Sequence, residues 1–232
     1  MNIQCPWKFD CENYHIVLTL RNNLRLNKIF GEEITYNRKT SKIVLTFSHV
    51  NSNINKKQNI IYNEFIVKFE TQHLGKSYFY PAISFVNNEY SIIRGYFLGF
   101  DKKMANLNIK KNIINFNSKE TYINFSCIKN NENSNYISLP FILNRNFNFD
   151  INLKANDCVS LKTEEYTIKD NYCFSLKLED MEKLLGEIGL SIDLVASYCG
   201  TYIKDEFIVT GVEKINEKWW VEIIYGNLWR FD

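Results

Sequence analysis

Short apolar runs separated by polar breaks recur along the chain. His15–Leu20, Lys42–Phe47, Asn59–Tyr62, Phe65–Glu70 and Tyr78–Phe85 are rich in β-branched and aromatic residues. Thr121–Ile128, Cys158–Ile168, Tyr172–Leu178, Tyr202–Val212 and Trp219–Tyr225 continue the pattern, with Asn, Asp or Gly between the runs. Side chains of these shapes suit a pleated, half-buried surface, so each run predicts a strand. Their regular recurrence predicts a mostly antiparallel sheet, sandwich or partly closed barrel.

Helical periodicity is rarer. Leu178–Gly186 places Met181, Leu184 and Leu185 on one face, with Gly186 as a stop. Asn88–Gly95 predicts a second short helix capped by Asn87 or Asn88, and Asn22–Phe30 a third. The expected class is therefore α+β, mainly antiparallel β, with a few short helices. No linker rich in Pro, Gly or Ser divides the chain, and no repeat of fixed period runs through it. The polar stretch Lys129–Asn135 reads as a surface loop, so residues 1–232 are expected to form a single domain.

Composition narrows the function. Of 232 residues, 45% are hydrophobic and 23% charged, which is globular rather than disordered. A net charge of +2 without a basic cluster speaks against nucleic acid as a partner. No apolar window is long enough for a membrane span, and the first residues lack a basic and an apolar signal region, so a cytoplasmic protein is expected. Six cysteines without a Cys-x-x-Cys pair read as free thiols, and three histidines without ligand-like spacing suggest no metal site. Nucleotide-binding glycine loops, the nucleophile elbow Gly-x-Ser-x-Gly and His-Glu-x-x-His are all absent from the sequence.

The segment Gly95–Ala105 carries the candidate chemistry. In it Lys102 and Lys103 follow the apolar residues Phe97, Leu98 and Phe100. A bare Lys-Lys pair says little, because pairs also stand at 56–57 and 110–111. A lysine beside aromatic walls is different. Desolvation and a neighbouring positive charge both disfavour the ammonium, and a neutral amine can attack a ketone to form a Schiff base.

In order along the chain stand Tyr62-Asn63-Glu64, Gly75-Lys76, Tyr80-Pro81-Ala82, Asn87-Asn88-Glu89 and Gly99-Phe100-Asp101-Lys102-Lys103-Met104-Ala105. In order and spacing these resemble the acetoacetate decarboxylase family. Trp7-Lys8-Phe9 with Tyr14, and Ala196 to Val212, extend a looser likeness across most of the chain. The resemblance implies Lys102 as the Schiff-base lysine, Lys103 as the neighbouring modulator of its pKa, and Glu64 as a pocket glutamate acting as acid and base. It implies Arg94, Tyr96, Glu12, Tyr80 and Phe97 as substrate contacts, no cofactor beyond the lysine itself, and a homo-oligomer. The partner would be a small carbonyl substrate.

The departures shape the expected reaction. Gly95-Tyr96 replaces the family's Arg-Glu pair, and Arg94 stands one position early, which on a helix turns a side chain by about 100°. Asp101 replaces a proline, and Glu12 stands where an arginine would hold a substrate carboxylate. The chain thus resembles divergent members that run decarboxylation, aldol condensation, dehydration or cyclisation in biosynthesis. Its aromatic content fits either a bulky substrate or plain core packing. Three readings are open. A Schiff-base enzyme requires Lys102 buried at a cavity with Glu64 in reach. An enzyme without a covalent imine would hold Lys102 in a salt bridge with Asp101 or Glu12. A non-catalytic binding protein would have no cavity, or Lys102 in solvent.

Overall fold

The computed structural model describes residues 6–21, 42–55, 58–73, 75–100, 102–117, 122–136, 138–144, 158–188 and 190–215, save the side chains of 55, 72, 73, 83, 97, 144, 158 and 214. The expected helix at Asn22–Phe30 and strand at Trp219–Tyr225 lie outside the described residues, as does Asp101.

Four long strands open the chain: β1 (Trp7–Leu20), β2 (Lys42–Asn55), β3 (Gln58–His73) and β4 (Lys76–Val86). Helix α1 (Glu89–Leu98) then leads into β5 (Lys102–Met104). A meander of β6 (Asn106–Lys110), β7 (Ile113–Asn117) and β8 (Tyr122–Ser126) follows, then the short β9 (Ile128–Lys129) and β10 (Ile142–Asn144). The described chain closes with β11 (Cys158–Ser175), α2 (Leu178–Glu187) and β12 (Val195–Lys214).

The large sheet runs β10-β11-β12-β1-β2-β3-β4-β5, with β9 also on β11. Its pairs are antiparallel except β4 with β5. The Phe79 amide of β4 donates to the Pro140 carbonyl, and Phe79 bridges to Phe141 just ahead of β10. This single bridge brings the two ends of the sheet together, so the expected partly closed barrel is what forms. β6-β7-β8 make a separate three-stranded sheet.

Period-two alternation gives the large sheet two buried faces with different contents. Its outer face carries one aromatic rung, paired strand to strand from Tyr172 through Tyr202, Tyr14, Phe47 and Phe65 to Phe85. Phe47 stacks on Phe65 at 4.3 Å, and Tyr172 on Tyr202 at 4.4 Å. Leu107, Ile114, Phe116, Ile123 and Phe125 from the small sheet, with Met181, Leu184 and Leu185 of α2, cover this face. Much of the aromatic content is therefore core. The inner face carries Asn13 and His15 of β1, Thr46 and Ser48 of β2, Glu64 and Lys68 of β3, and Asp205 of β12, all buried.

Two predicted strands, Cys158–Ile168 and Tyr172–Leu178, are one strand in the structure, β11, which ends at Ser175. Irregularities at Glu164/Thr167 and Ile168/Asp170, with Glu165 at φ 53°, absorb its polar middle without breaking the pairing. The helix at 178–186 forms as expected. Among the described residues, no helix is long and apolar enough to cross a membrane.

Candidate active site

The inner face of the barrel encloses a cavity of about 880 Å³, a size suited to a small organic ligand. Lys102 and Glu64 meet in its wall. Lys102 Nζ lies 2.6 Å from Glu64 Oε1, and both side chains are buried. The Ser84 hydroxyl donates to the same Glu64 oxygen at 2.9 Å, while Lys102 Nζ donates to Ser91 Oγ at 3.2 Å. The register explains the meeting. Lys102 pairs with Ser84 on the parallel β5, and the next strand, β3, carries Glu64 opposite Val86, two residues along β4.

Helix α1 builds one side of the site. The Asn88 side chain caps it by accepting from the Ser91 amide, and Gly99, at φ 96°, ends it in the left-handed conformation. Ser91, Arg94, Gly95 and Leu98 fall at i, i+3, i+4 and i+7, the stripe that faces inward. Ser91 meets Lys102, while Arg94, Gly95 and Leu98 line the cavity. Positions 94 and 95 both belong to this stripe, so the one-residue displacement of the arginine keeps it inside. Arg94 donates to Ser52 Oγ at 2.9 Å and to the Tyr62 hydroxyl at 3.0 Å. Its guanidinium also lies over the rings of Phe9 at 4.8 Å and Trp7 at 5.5 Å. Gly95 is required by close approach. A Cβ there would stand 2.5 Å from Lys102 Cδ and 2.6 Å from Cε.

Opposing influences act on the Lys102 ammonium. Burial is the largest influence on Lys102 and lowers its pKa; Glu64 pulls it back up, and the Arg94 cation lowers it again. Phe100 and Tyr62 stand 5.3 and 5.8 Å from Nζ.

The other expected site residues divide. Lys103 is exposed, because period two along β5 turns it away from the side that Lys102 faces. The cation that lowers the Lys102 pKa is Arg94 instead. Glu12 sits on the outward side of β1 and pairs with Lys204 at 3.0 Å, so it makes no contact with the cavity. Tyr96 lies off the inward stripe of α1 and is 49% exposed. Tyr80 packs on the core clusters, while Tyr78 lines the cavity. The Phe97 side chain lies outside the described residues.

A second polar group on the inner face was not singled out in the sequence. Asn13 Nδ2 donates to Asp205 Oδ1 at 3.0 Å, and the Tyr166 hydroxyl to Asp205 Oδ2 at 2.9 Å. Burial pushes the Asp205 carboxyl up to about 6 and Lys68 down to about 7, and holds His15 well below its usual range. The signal was available: Glu64, Ile66 and Lys68 share one face of a strand that otherwise reads as apolar.

No family model matches the sequence, and no curated protein matches it. Solved structures do. The enduracididine biosynthesis enzyme MppR complexed with pyruvate superposes with a TM-score of 0.72 at 10% identity, covering 93% of this chain and 92% of that one. The same enzyme with the condensation product of pyruvate and imidazole 4-carboxaldehyde gives 0.69 at 10% identity, over 91% and 89%. Acetoacetate decarboxylase from Legionella pneumophila gives 0.68 at 16% identity, over 93% and 90%. Across nearly its whole length, this chain has the acetoacetate decarboxylase-like fold.

Proposed function

We propose that this protein is an enzyme that joins Lys102 to a keto acid or a related carbonyl substrate as a Schiff base. The observation that carries the proposal is the buried 2.6 Å contact between Lys102 Nζ and Glu64 Oε1 at the wall of the cavity. Glu64 takes the proton from the Lys102 ammonium. The neutral amine adds to the ketone carbon, forming a carbinolamine, and Glu64 returns a proton as water leaves. The resulting iminium draws electrons from the neighbouring carbon. A β-carboxylate then departs as carbon dioxide, or an α-proton departs to Glu64, and either loss leaves an enamine. The enamine carbon takes up a proton or attacks a second carbonyl, and water releases the product from Lys102. Arg94, whose guanidinium donates to Ser52, Asn53 and Tyr62, would receive the substrate carboxylate through its remaining donors.

One neighbour of the same fold, solved both with pyruvate and with a pyruvate condensation product, supports a keto-acid substrate. The placement of Glu12 also bears on the choice, because its carboxylate pairs with Lys204 and does not line the cavity that holds Lys102. Borohydride reduction in the presence of a panel of keto acids and 1,3-dicarbonyls tests the proposal. The expected result is a mass adduct on the Lys102 peptide, absent in Lys102→Ala. A folded protein that yields no adduct across the panel would count against the covalent reading.

A further inference from the structure

The cavity holds a second buried lysine that the imine chemistry does not use. Lys68 is 3% exposed and lines the same cavity as Lys102. Its ammonium nitrogen lies over the rings of Phe79 at 5.1 Å and Phe141 at 5.7 Å. Among the described residues, no hydrogen bond or ion pair reaches it. The Asp205 and Glu64 carboxylates act on its charge without an ion pair, and Asp205 already accepts from Asn13 and Tyr166. A buried lysine without an acceptor is costly, so one kept in a cavity wall suggests a ligand acceptor.

A second group at this end makes the same point independently. The Tyr136 hydroxyl is buried and has no hydrogen-bond partner. Its ring stacks on His15 at 4.5 Å, and His15 in turn feels the charge of Lys68. His15 already uses Nδ1 on Thr46 Oγ1 at 2.9 Å. Lys68 and Tyr136 therefore present donors without acceptors in the wall of one cavity, linked through His15.

We propose that Lys68 and Tyr136 form an anion-binding station for a carboxylate at the far end of the substrate from Lys102. The substrate class is then a two-ended one, a 2-oxo acid with a distal acid group, and this inference rests on the reading of Lys102 given above. Glu64 and Lys68 are four residues apart on one face of β3, about 13 Å along the strand. Allowing for the contacts at each end, an extended chain of roughly six to eight bonds spans the interval. The distal acid accepts from the Lys68 ammonium and the Tyr136 hydroxyl while the ketone stands at Lys102. Burial lowers the Lys68 pKa towards about 7, and an arriving carboxylate restores the charged form.

The test compares 2-oxosuberate with 2-oxooctanoate, which has the same length and a methyl group in place of the distal acid. Binding is measured by calorimetry to wild type, Lys68→Met, Tyr136→Phe and Lys102→Met. Wild type is expected to favour the diacid by about tenfold or more, as for a buried charge-assisted contact. Lys68→Met should abolish that preference, Tyr136→Phe should reduce it, and Lys102→Met should retain it. Equal affinity for both acids in wild type, or a preference that survives Lys68→Met, overturns the proposal. Should Lys68→Met fail to fold, an unchanged preference in Tyr136→Phe overturns it instead. Borohydride trapping is read in parallel. A Lys68-dependent preference without any adduct sinks the imine reading and leaves the anion station standing. An adduct without the preference does the reverse.

Discussion

Gly95→Ala isolates the geometry of the Lys102 site from the stability of the fold. The new methyl carbon would lie 2.5 Å from Lys102 Cδ, 2.6 Å from Cε and 2.9 Å from Cγ. Carbon atoms pack comfortably at roughly 3.5–4 Å, so the lysine stem must retreat by about 1 Å. That movement opens the 2.6 Å contact with Glu64. Overpacking of this kind costs roughly 1–3 kcal/mol, while alanine in place of glycine inside a helix returns about 1 kcal/mol. The net loss of stability is therefore small, between nothing and roughly 2 kcal/mol. A misplacement of about 1 Å in a reacting group, by contrast, costs on the order of 100-fold in rate. The assay measures borohydride trapping rate and melting temperature on the same preparation. The expected result is a melting temperature within a few degrees of wild type and a trapping rate lowered by about two orders of magnitude. Wild-type trapping in a folded Gly95→Ala protein would refute the reasoning.

Glu64→Gln removes the group that raises the Lys102 pKa and that moves protons in the proposed reaction. The plateau trapping rate should fall by roughly 10²–10⁴-fold, and the rise of rate with pH should shift to lower pH; an unchanged profile would remove Glu64 from the reaction. Glu12→Gln and Tyr96→Ala should leave trapping at the wild-type rate, since both residues face away from the cavity; a large loss in either would overturn that placement. For Lys68 the folded pKa is about 7 against an ordinary 10.5, so between those values the unfolded chain binds more protons and stability rises with pH. Lys68→Met should flatten that rise and stabilise the protein near pH 7, as read by denaturant melts across the pH range; a melt series as steep as wild type would contradict it.

The outer face of the large sheet was legible in the sequence because it obeys a simple rule. Ile43, Leu45 and Phe47, or Phe65, Val67 and Phe69, alternate with other residues in the pattern of a strand with one apolar side. The full strands were harder to see. β1 begins at Trp7, eight residues before the apolar run at His15, and the intervening stretch puts Cys11 and Asn13 on the buried inner face. A reading that takes apolar residues as buried and polar ones as exposed cuts such a strand short. Lys102 stood out by its apolar flank and by the resemblance, Glu64 by the resemblance alone, and the two lie together in the structure. Glu12, Tyr96, Tyr80 and Lys103 came from the same resemblance and lie elsewhere, because matching the order of motifs does not by itself test each position against the period that decides which way its side chain faces. Gly95 had a legible role only once Lys102 was seen to run against it.

The two faces of the sheet also explain how the protein tolerates its interior. Buried lysines, a buried aspartate and an orphan tyrosine hydroxyl all count against folding. On β1 and β3 the polar side chains share a strand with the aromatic rung, so a strand that turns a polar side chain to the cavity buries an aromatic or aliphatic one on its other side. Asn13 is flanked by Tyr14, Glu64 by Phe65, and Lys68 by Val67 and Phe69. Stability and chemistry are thus separated by the pleat rather than by distance along the chain. Substitutions on the inner face should therefore alter reaction or binding with little loss of stability. Truncating Phe47 or Phe65, which touch each other and the small sheet, should cost roughly 3–5 kcal/mol while leaving the cavity-facing side chains of the same strands in place. This separation lets the cavity hold charged groups that a one-faced sheet could not keep buried.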